Sequence, residues 1–294
     1  MATLKKAGLI TLILSLILKF AGFVREAVLA DKFGASALTD GYLIAFSLIT
    51  LIVVMTSEGF NSVFLPLFTR SKQENENESY KTASALLNNG IVILVSCSIL
   101  IYFAILIFLP LFFSDVNAQT LETSIEVMQF FVVFLALISV NGMFESYLQS
   151  FRSFIPTQIS RLLATLMSAV FGLLFAEELG IYSLAYGFVF GVLVGTIIQI
   201  ISLKRYGYKY YFTFKSDKVF LRSFVVLFFP AILSSIVGQI NVLVDKVFAS
   251  GTIEGAVTYL NNSSLIVSIP QGIYATTIVA ILFTLLSEQG RSEE

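Results

Sequence analysis

Residues 18–49 read LKFAGFVREAVLADKFGASALTDGYLIAFSLI. Lys19, Arg25 and Glu26 interrupt the first of two long apolar runs, and Asp40 opens the second. A charged side chain at the centre of a membrane helix costs roughly 2.5–3.5 kcal/mol on insertion scales, so such residues usually face a partner or a water-filled cavity. The stretch therefore predicts membrane helices that line a path for something polar.

A shortened echo of this stretch returns late in the chain. Residues 31–41 (DKFGASALTDG) align without a gap with residues 245–255 (DKVFASGTIEG), and Asp40 corresponds to Glu254. Two extramembrane turns that converge on similar polar residues would also explain the match. Internal repeats of helix–loop–helix units are common in transporters, where two related bundles rock around a central site. We therefore favour a chain built from two related lobes.

The composition places the chain in a membrane. Hydrophobic residues make up 57 % and charged residues 13 %, with a mean hydropathy of +0.89, whereas a soluble domain carries roughly 25 % charged residues. A membrane-spanning helix needs about 20 apolar residues. On this basis we predict eight helices, at 7–30, 38–66, 82–113, 124–150, 157–177, 180–203, 222–247 and 255–287.

The predicted fold class is an all-α integral membrane protein, a polytopic helical bundle. We expect residues 1–203 to form a six-helix N-terminal lobe and residues 204–222 a cytoplasmic linker. Residues 223–294 would supply the first two helices of a C-terminal lobe that is incomplete. A remaining C-terminal half or an oligomer would complete it, and the chain is either a natural short protein or a fragment.

Basic residues predict the orientation. With the N-terminus inside, thirteen Lys and Arg fall in cytoplasmic segments, and only Lys32 and Lys246 fall in outer loops. Cytoplasmic segments of membrane proteins carry such an excess. We therefore expect the N-terminus and the loops at 71–80 and 204–222 in the cytoplasm of a bacterium, with the chain in its inner membrane.

Several enzyme classes are disfavoured by missing residue types. The chain has no His and one Cys, Cys97, which excludes disulfides and most zinc or haem sites. A membrane enzyme acting on polyprenyl phosphate would need a general base or metal-binding carboxylates near a membrane face, and the outer acids are scattered. We predict no catalytic residue, no metal site, no cofactor and no nucleic-acid partner.

The charges inside predicted spans carry the functional hypothesis. Lys19 and Glu26 are seven residues apart and share a helix face, so they would form a neutralising pair. Arg25 lies on another face unless Gly22 breaks the helix. Glu58 lies late in helix two, where it would line the inner opening of a bundle.

Three polar residues in helices four and five have alternative interpretations. Glu145 and Arg161 either contact a substrate or form an ion pair between helices, and Asn141 is better interpreted as a hydrogen-bond donor between helices.

Five segments together resemble a known family: residues 22–30 (GFVREAVLA), 33–36 (FGAS), 63–68 (VFLPLF), 247–251 (VFASG) and 269–273 (IPQGI). They resemble the signature of the MurJ (MviN) lipid II flippases, which belong to the multidrug/oligosaccharidyl-lipid/polysaccharide exporter superfamily. The resemblance follows the whole chain in order. It implies two six-helix lobes around a central cationic cavity that takes a lipid-linked diphosphate sugar.

The resemblance also implies roles for five residues. Lys19 and Arg25 would attract the diphosphate, Glu26 and Asp40 would hold these cations or couple to an ion, and Glu58 would complete the substrate-binding set. The sequence departs from the family where a Pro-Asn step and arginines are usual, and Lys19 itself stands at an arginine position. The departing positions read Ile49, Thr50, Val53, Val54 and Leu265.

We therefore predict a flippase-type transporter and not an enzyme. It would move an undecaprenyl-diphosphate-linked sugar, lipid II or a related precursor, from the inner to the outer leaflet by alternating access. Its partners would be that lipid-linked sugar, the lipid bilayer and a coupling ion. The alternatives are an O-antigen, capsule or exopolysaccharide flippase, a drug or cation antiporter of the same superfamily, and an inactive truncated remnant.

Overall fold

The computed structural model describes residues 2–268 and 270–271, and every described element is helical. The helices are α1 Ala2–Phe33, α2 Ala37–Glu74, α3 Glu76–Phe112, α4 Ala118–Val133, α5 Leu135–Ser150, α6 Ile155–Leu179, α7 Tyr182–Arg205 and α8 Lys218–Ser250. A further helix, α9, covers residues 256–268. The part of the last predicted span at 272–287 lies outside the described residues.

The all-α polytopic bundle is confirmed. In the described part of the chain, α2, α3, α6, α7 and α8 are long and apolar enough to cross a membrane, and the bent pair α4–α5 makes a sixth span. Helix α1 runs for 32 residues, about 48 Å at 1.5 Å per residue. Within the described residues, each predicted span corresponds to one helix or, at 124–150, to a broken pair.

The predicted helix at 124–150 is wrong in one respect, because it breaks at Phe134. There the backbone N–H donates to the carbonyl of Phe131 at 3.0 Å, the tighter spacing of a 3₁₀ turn. The two halves, α4 and α5, meet at 57°. The sequence around Phe134 carries no Gly or Pro, so composition does not reveal the break.

Helix α2 is longer than predicted. It passes through Pro66 and ends at Glu74, and Asn75 alone separates it from α3. The side chain of Asn75 accepts from the N–H of Glu78 at 3.2 Å, which caps the start of α3. The polar stretch at 71–80, which was predicted to be a loop, therefore consists of the end of α2, Asn75 and the start of α3.

The segment between α7 and α8 folds back onto α3. The Tyr208 hydroxyl lies 3.1 Å from Ser84 Oγ. Asn88 donates to the Thr213 carbonyl at 2.8 Å and accepts from the Tyr210 hydroxyl at 2.7 Å. Burial raises the pKa of Tyr208 to about 12, so this hydroxyl keeps its proton near neutral pH. These contacts hold the segment against one end of the bundle.

Helices α6 and α7 pack closely because α7 presents small residues to α6. A Cβ added to Gly187, Gly191 or Gly195 would lie 2.3, 2.5 or 2.1 Å from an α6 atom, respectively. Small residues at four-residue spacing let membrane helices approach closely. The α6–α7 pair then supports α1, where Val28 packs near Gly172.

Replacement of Gly191 tests this packing. In Gly191→Val the added Cβ meets the Leu163 carbonyl oxygen at 2.5 Å, and backbone cannot yield as a side chain can. We expect the free energy of unfolding to fall by about 1–3 kcal/mol, the usual cost of overpacking, as a lower melting temperature by circular dichroism. In Gly22→Ala the new Cβ meets nothing within 4 Å, so equal melting of the two variants would contradict the packing argument.

Candidate functional site

A cavity of about 530 Å³ lies inside the bundle, between α1, α2, α5, α6, α7 and α9. Its charged lining residues come from four helices. They are Lys19, Arg25, Glu58, Glu145 and Arg161. The structure therefore brings three of the five predicted binding residues, Lys19, Arg25 and Glu58, to one cavity.

Arg25 is held in place by Glu26 and Phe46. Its Nη2 donates to Glu26 Oε1 at 2.5 Å, and its side chain is 15 % exposed. The guanidinium carbon lies 4.6 Å from the centre of the Phe46 ring, a cation–π contact. Glu26 is buried, and its Oε2 accepts from Asn261 Nδ2 on α9 at 3.0 Å. The cation is thus oriented before any ligand arrives.

The predicted pair of Lys19 and Glu26 is wrong. Along the helix axis Lys19 and Glu26 are about 10 Å apart. The neighbouring Arg25 pairs with the Glu26 carboxylate instead. Lys19 instead donates to the Ser268 carbonyl at 3.3 Å. Because α1 is a continuous helix through Gly22, no break is needed to bring Arg25 to the cavity.

Asp40 lies away from the cavity lining, at the junction of α2 and α9. Its Oδ2 accepts from the N–H of Gly255 at 2.9 Å, and its Oδ1 accepts from the N–H and hydroxyl of Thr258 at 2.9 and 2.6 Å. In return, Glu254 accepts from the N–H of Ala37 at 3.1 Å. The two repeated segments therefore meet, and each acid binds the helix start of the other segment.

The remaining acids of the cavity differ in their partners. Glu145 forms an ion pair with Arg161 at 2.5 Å, which confirms the interhelical pair. Glu58 is exposed to the cavity and has no hydrogen-bond or ion-pair partner among the described residues. No group of three acidic or Cys side chains in the described ranges could hold a metal ion.

Polar contacts between helices frame the cavity wall. Asn141 on α5 donates to Ser160 Oγ on α6 and to Thr196 Oγ1 on α7, both at 2.8 Å. This confirms the interpretation of Asn141 as an interhelical donor. A Cβ at Gly142 would lie 1.9 Å from Ser57 Oγ, so α5 also packs tightly on α2.

The three positions where the family resemblance leads one to expect arginine all face the cavity. Val53, Val54 and Leu265 line it. The wall therefore combines three cations, Lys19, Arg25 and Arg161, with an apolar patch and two carboxylates.

The burial of Lys246 was missed. The predicted helix at 222–247 ends one residue after Lys246, so this lysine was counted with the outer loops, but α8 continues to Ser250 and buries it at 6 % exposure. Its Nζ donates to the Leu43 carbonyl at 3.1 Å and to Ser47 Oγ on α2. Hydropathy placed Lys246 near a helix end but does not show that its side chain packs against α2.

The bundle is shared with solved transporter structures. A structure titled "Lipid II flippase MurJ, inward closed conformation" matches with a TM-score of 0.77 at 24 % identity, over 91 % of this chain and 56 % of that one. An inward-facing multidrug resistance MATE family transporter of the MOP superfamily matches at 0.66 and 15 %, over 85 % and 58 %. The fold class is that of the MOP-superfamily transporters.

The comparison with family models gives a narrower assignment than the fold does. The model of the family described as "Lipid II flippase MurJ" matches residues 29–294, and the chain belongs to that family. The relatives named "Probable lipid II flippase MurJ" include one from Rickettsia prowazekii, 25 % identical over 99 % of this chain and 58 % of its own length. One from Aquifex aeolicus is 26 % identical over 98 % and 57 %. The chain thus spans about half the length of these relatives.

The Asp40 contacts give a stability prediction. Asp40→Ala would leave two N–H groups and a hydroxyl buried without an acceptor, and each such group costs about 1–3 kcal/mol. We expect a free energy of unfolding lower by about 3 kcal/mol or more, seen by circular dichroism in detergent. Asp31→Ala is the matched control, because Asp31 is exposed. A melting temperature of Asp40→Ala as high as that of the control would show that the contacts do not hold α9.

Proposed function

We propose that this chain forms part of a flippase that moves an undecaprenyl-diphosphate-linked sugar from the inner to the outer leaflet of a bacterial cytoplasmic membrane. The observation that carries the proposal is Arg25, a guanidinium held by Glu26 and Phe46 inside a membrane bundle, on the wall of a cavity of about 530 Å³. The names of the relatives support lipid II as the first cargo to test.

The geometry suggests how the cavity would bind this cargo. A diphosphate carries about two negative charges, and arginine binds phosphate oxygens through short, bidentate, charge-assisted bonds. Lys19 and Arg161 would add long-range attraction from the same wall. With Glu26 included, three cations meet three carboxylates, so selection of an anionic headgroup would rest on the oriented guanidinium of Arg25 and not on net charge. Transport needs no bond to be made or broken.

Alternating access would require the Asp40–Glu254 junction to separate. The junction joins the starts of α2 and α9, while Glu58, Glu145 and Arg161 line the cavity from the second halves of α2 and α5 and the first half of α6. By the positive-inside rule, the side of the bundle toward these three residues faces the cytoplasm. The cargo would enter from the cytoplasmic side, and the closed junction would be the outer gate.

Arg25 provides the direct test. We expect Arg25→Ala to weaken binding of undecaprenyl diphosphate to the purified chain in nanodiscs by about 10-fold or more, because a charged hydrogen bond contributes about 1.5–3 kcal/mol. Lys19→Arg should bind as the wild type does, since the charge is kept. Native mass spectrometry measures both. Equal binding by Arg25→Ala and the wild type would remove the basis of the proposal.

The proposed cargo is tested separately in cells. If lipid II is the cargo, the chain, or the chain together with a partner half, should restore growth to cells depleted of their own lipid II flippase. Because Val53, Val54 and Leu265 replace cations on the wall, we expect rescue to be weak. Strong rescue would show that the missing arginines do not limit handling of lipid II.

Topology is tested with single cysteines. In a Cys97→Ser background, Asn77→Cys should be protected from a membrane-impermeant maleimide in intact cells, and Asp115→Cys should react. Both side chains are exposed at helix ends, so accessibility to the reagent depends on the side of the membrane. Labelling of position 77 but not of position 115 would invert the proposed orientation.

A further inference from the structure

A second cavity, of about 260 Å³, lies between α2, α8 and α9 and also reaches Arg25. Arg25 is therefore part of the wall of both cavities. The other polar lining residues of this second chamber include Ser47, Gln239, Asp245, Lys246 and Asn261. At roughly 30 Å³ per water molecule in the liquid, the chamber has space for about nine waters.

Lys246 is the unusual residue of this chamber. It is 6 % exposed, yet its Nζ bonds only neutral oxygens, the Leu43 carbonyl and Ser47 Oγ. No carboxylate of the described residues forms an ion pair with it within 4.0 Å. A buried ammonium without an acidic partner costs several kcal/mol, and a charge kept inside a membrane bundle usually serves function.

The chamber is chemically suited to a phosphate. Arg25 is already balanced by Glu26, and Asp245 is the acid on the chamber wall itself. Lys246 supplies the cation that no carboxylate contacts, and Gln239 and Ser47 can donate hydrogen bonds. A phosphate oxygen would offer Lys246 an anionic acceptor in place of the Leu43 carbonyl, which adds a Coulomb attraction that a neutral carbonyl lacks.

We propose that this chamber is a phosphate subsite, with Lys246 as its own cation and Arg25 as the residue it shares with the larger cavity. The proposal rests on the proposed function and adds a second phosphate-binding position on the same transport route. A diphosphate at Arg25 would reach Lys246 without losing contact with a cation. Lys246 would then make up in part for the cations absent at Val53, Val54 and Leu265.

The subsite also links ligand binding to helix movement. Lys246 now joins α8 to α2 through the Leu43 carbonyl and Ser47, close to the junction where Asp40 binds α9. A phosphate that bound the Lys246 ammonium in place of the Leu43 carbonyl and Ser47 would remove this link between α2 and α8. Occupation of the chamber would therefore favour separation of the two helices at the end where the junction is closed.

The experiment compares three lysine variants of the purified chain in neutral phosphatidylcholine nanodiscs. The probes are inorganic diphosphate and undecaprenyl diphosphate, so that headgroup binding is separated from lipid binding. We expect Lys246→Met to weaken binding of both probes by about 10-fold or more, as for loss of a charged hydrogen bond. Lys246→Arg should stay within about 3-fold of the wild type. Lys209→Met, an exposed lysine outside both cavities, should bind normally.

The other outcomes separate failure of the subsite from failure of the proposed function. If Lys246→Met melts earlier but binds both probes as the wild type does, Lys246 only joins two helices and the subsite is refuted. If Arg25→Ala weakens binding and Lys246→Met does not, the subsite fails while the proposed function stands. If the wild type binds neither probe, both fail. Should Lys246→Met not fold, Lys246→Gln provides the same comparison of charge.

A cation in the chamber is the competing chemistry, because Asp245 and several amide oxygens could bind one. Sodium that raises the melting temperature of the wild type but not of Asp245→Asn, with diphosphate affinity unchanged in Lys246→Met, would replace the phosphate subsite by a cation site.

Discussion

One carboxylate, that of Asp40, joins the start of α2 to the start of α9. Asp40 accepts hydrogen bonds from Gly255 and from both the N–H and the hydroxyl of Thr258, which satisfies donors at the start of α9 that no helix can satisfy internally. Glu254 does the same for Ala37. These reciprocal contacts set α9 beside α1, where Asn261 reaches Glu26, and Glu26 in turn orients Arg25. The position of the central cation therefore depends on contacts at a distant helix junction.

The charges that line the two cavities fall into a paired and an unpaired group. Arg25 and Arg161 each have a carboxylate at 2.5 Å, as expected where water is scarce and an unpaired ion is costly. Lys19, Glu58, Asp245 and Lys246 have no ion-pair partner in the part of the chain that the structure describes. Glu58 faces the larger cavity and Lys246 the smaller one. Unpaired charges that line cavities are the groups best placed to meet a charged ligand.

The chain belongs to the MurJ family, but its cavity wall departs from the arginine pattern that the resemblance implies. The family match covers residues 29–294, yet Val53, Val54 and Leu265 make part of the cavity wall apolar. A wall with fewer arginines holds a diphosphate through fewer bidentate contacts. The cation at Lys246 lies on another helix and is reached from the other side of Arg25, so the positive charge is distributed along a path.

The sequence by itself determined the membrane class, the succession of helices and the presence of Lys19, Arg25 and Glu58 within predicted spans, because hydropathy is a local property. It also showed the repeat, through residues 31–41 and 245–255. Only the tertiary structure decided that Glu26 pairs with Arg25, that Asp40 binds α9, and that Lys246 is buried against α2. Those partners are one residue apart or more than 200, and which polar group reaches which charge depends on how the helices pack.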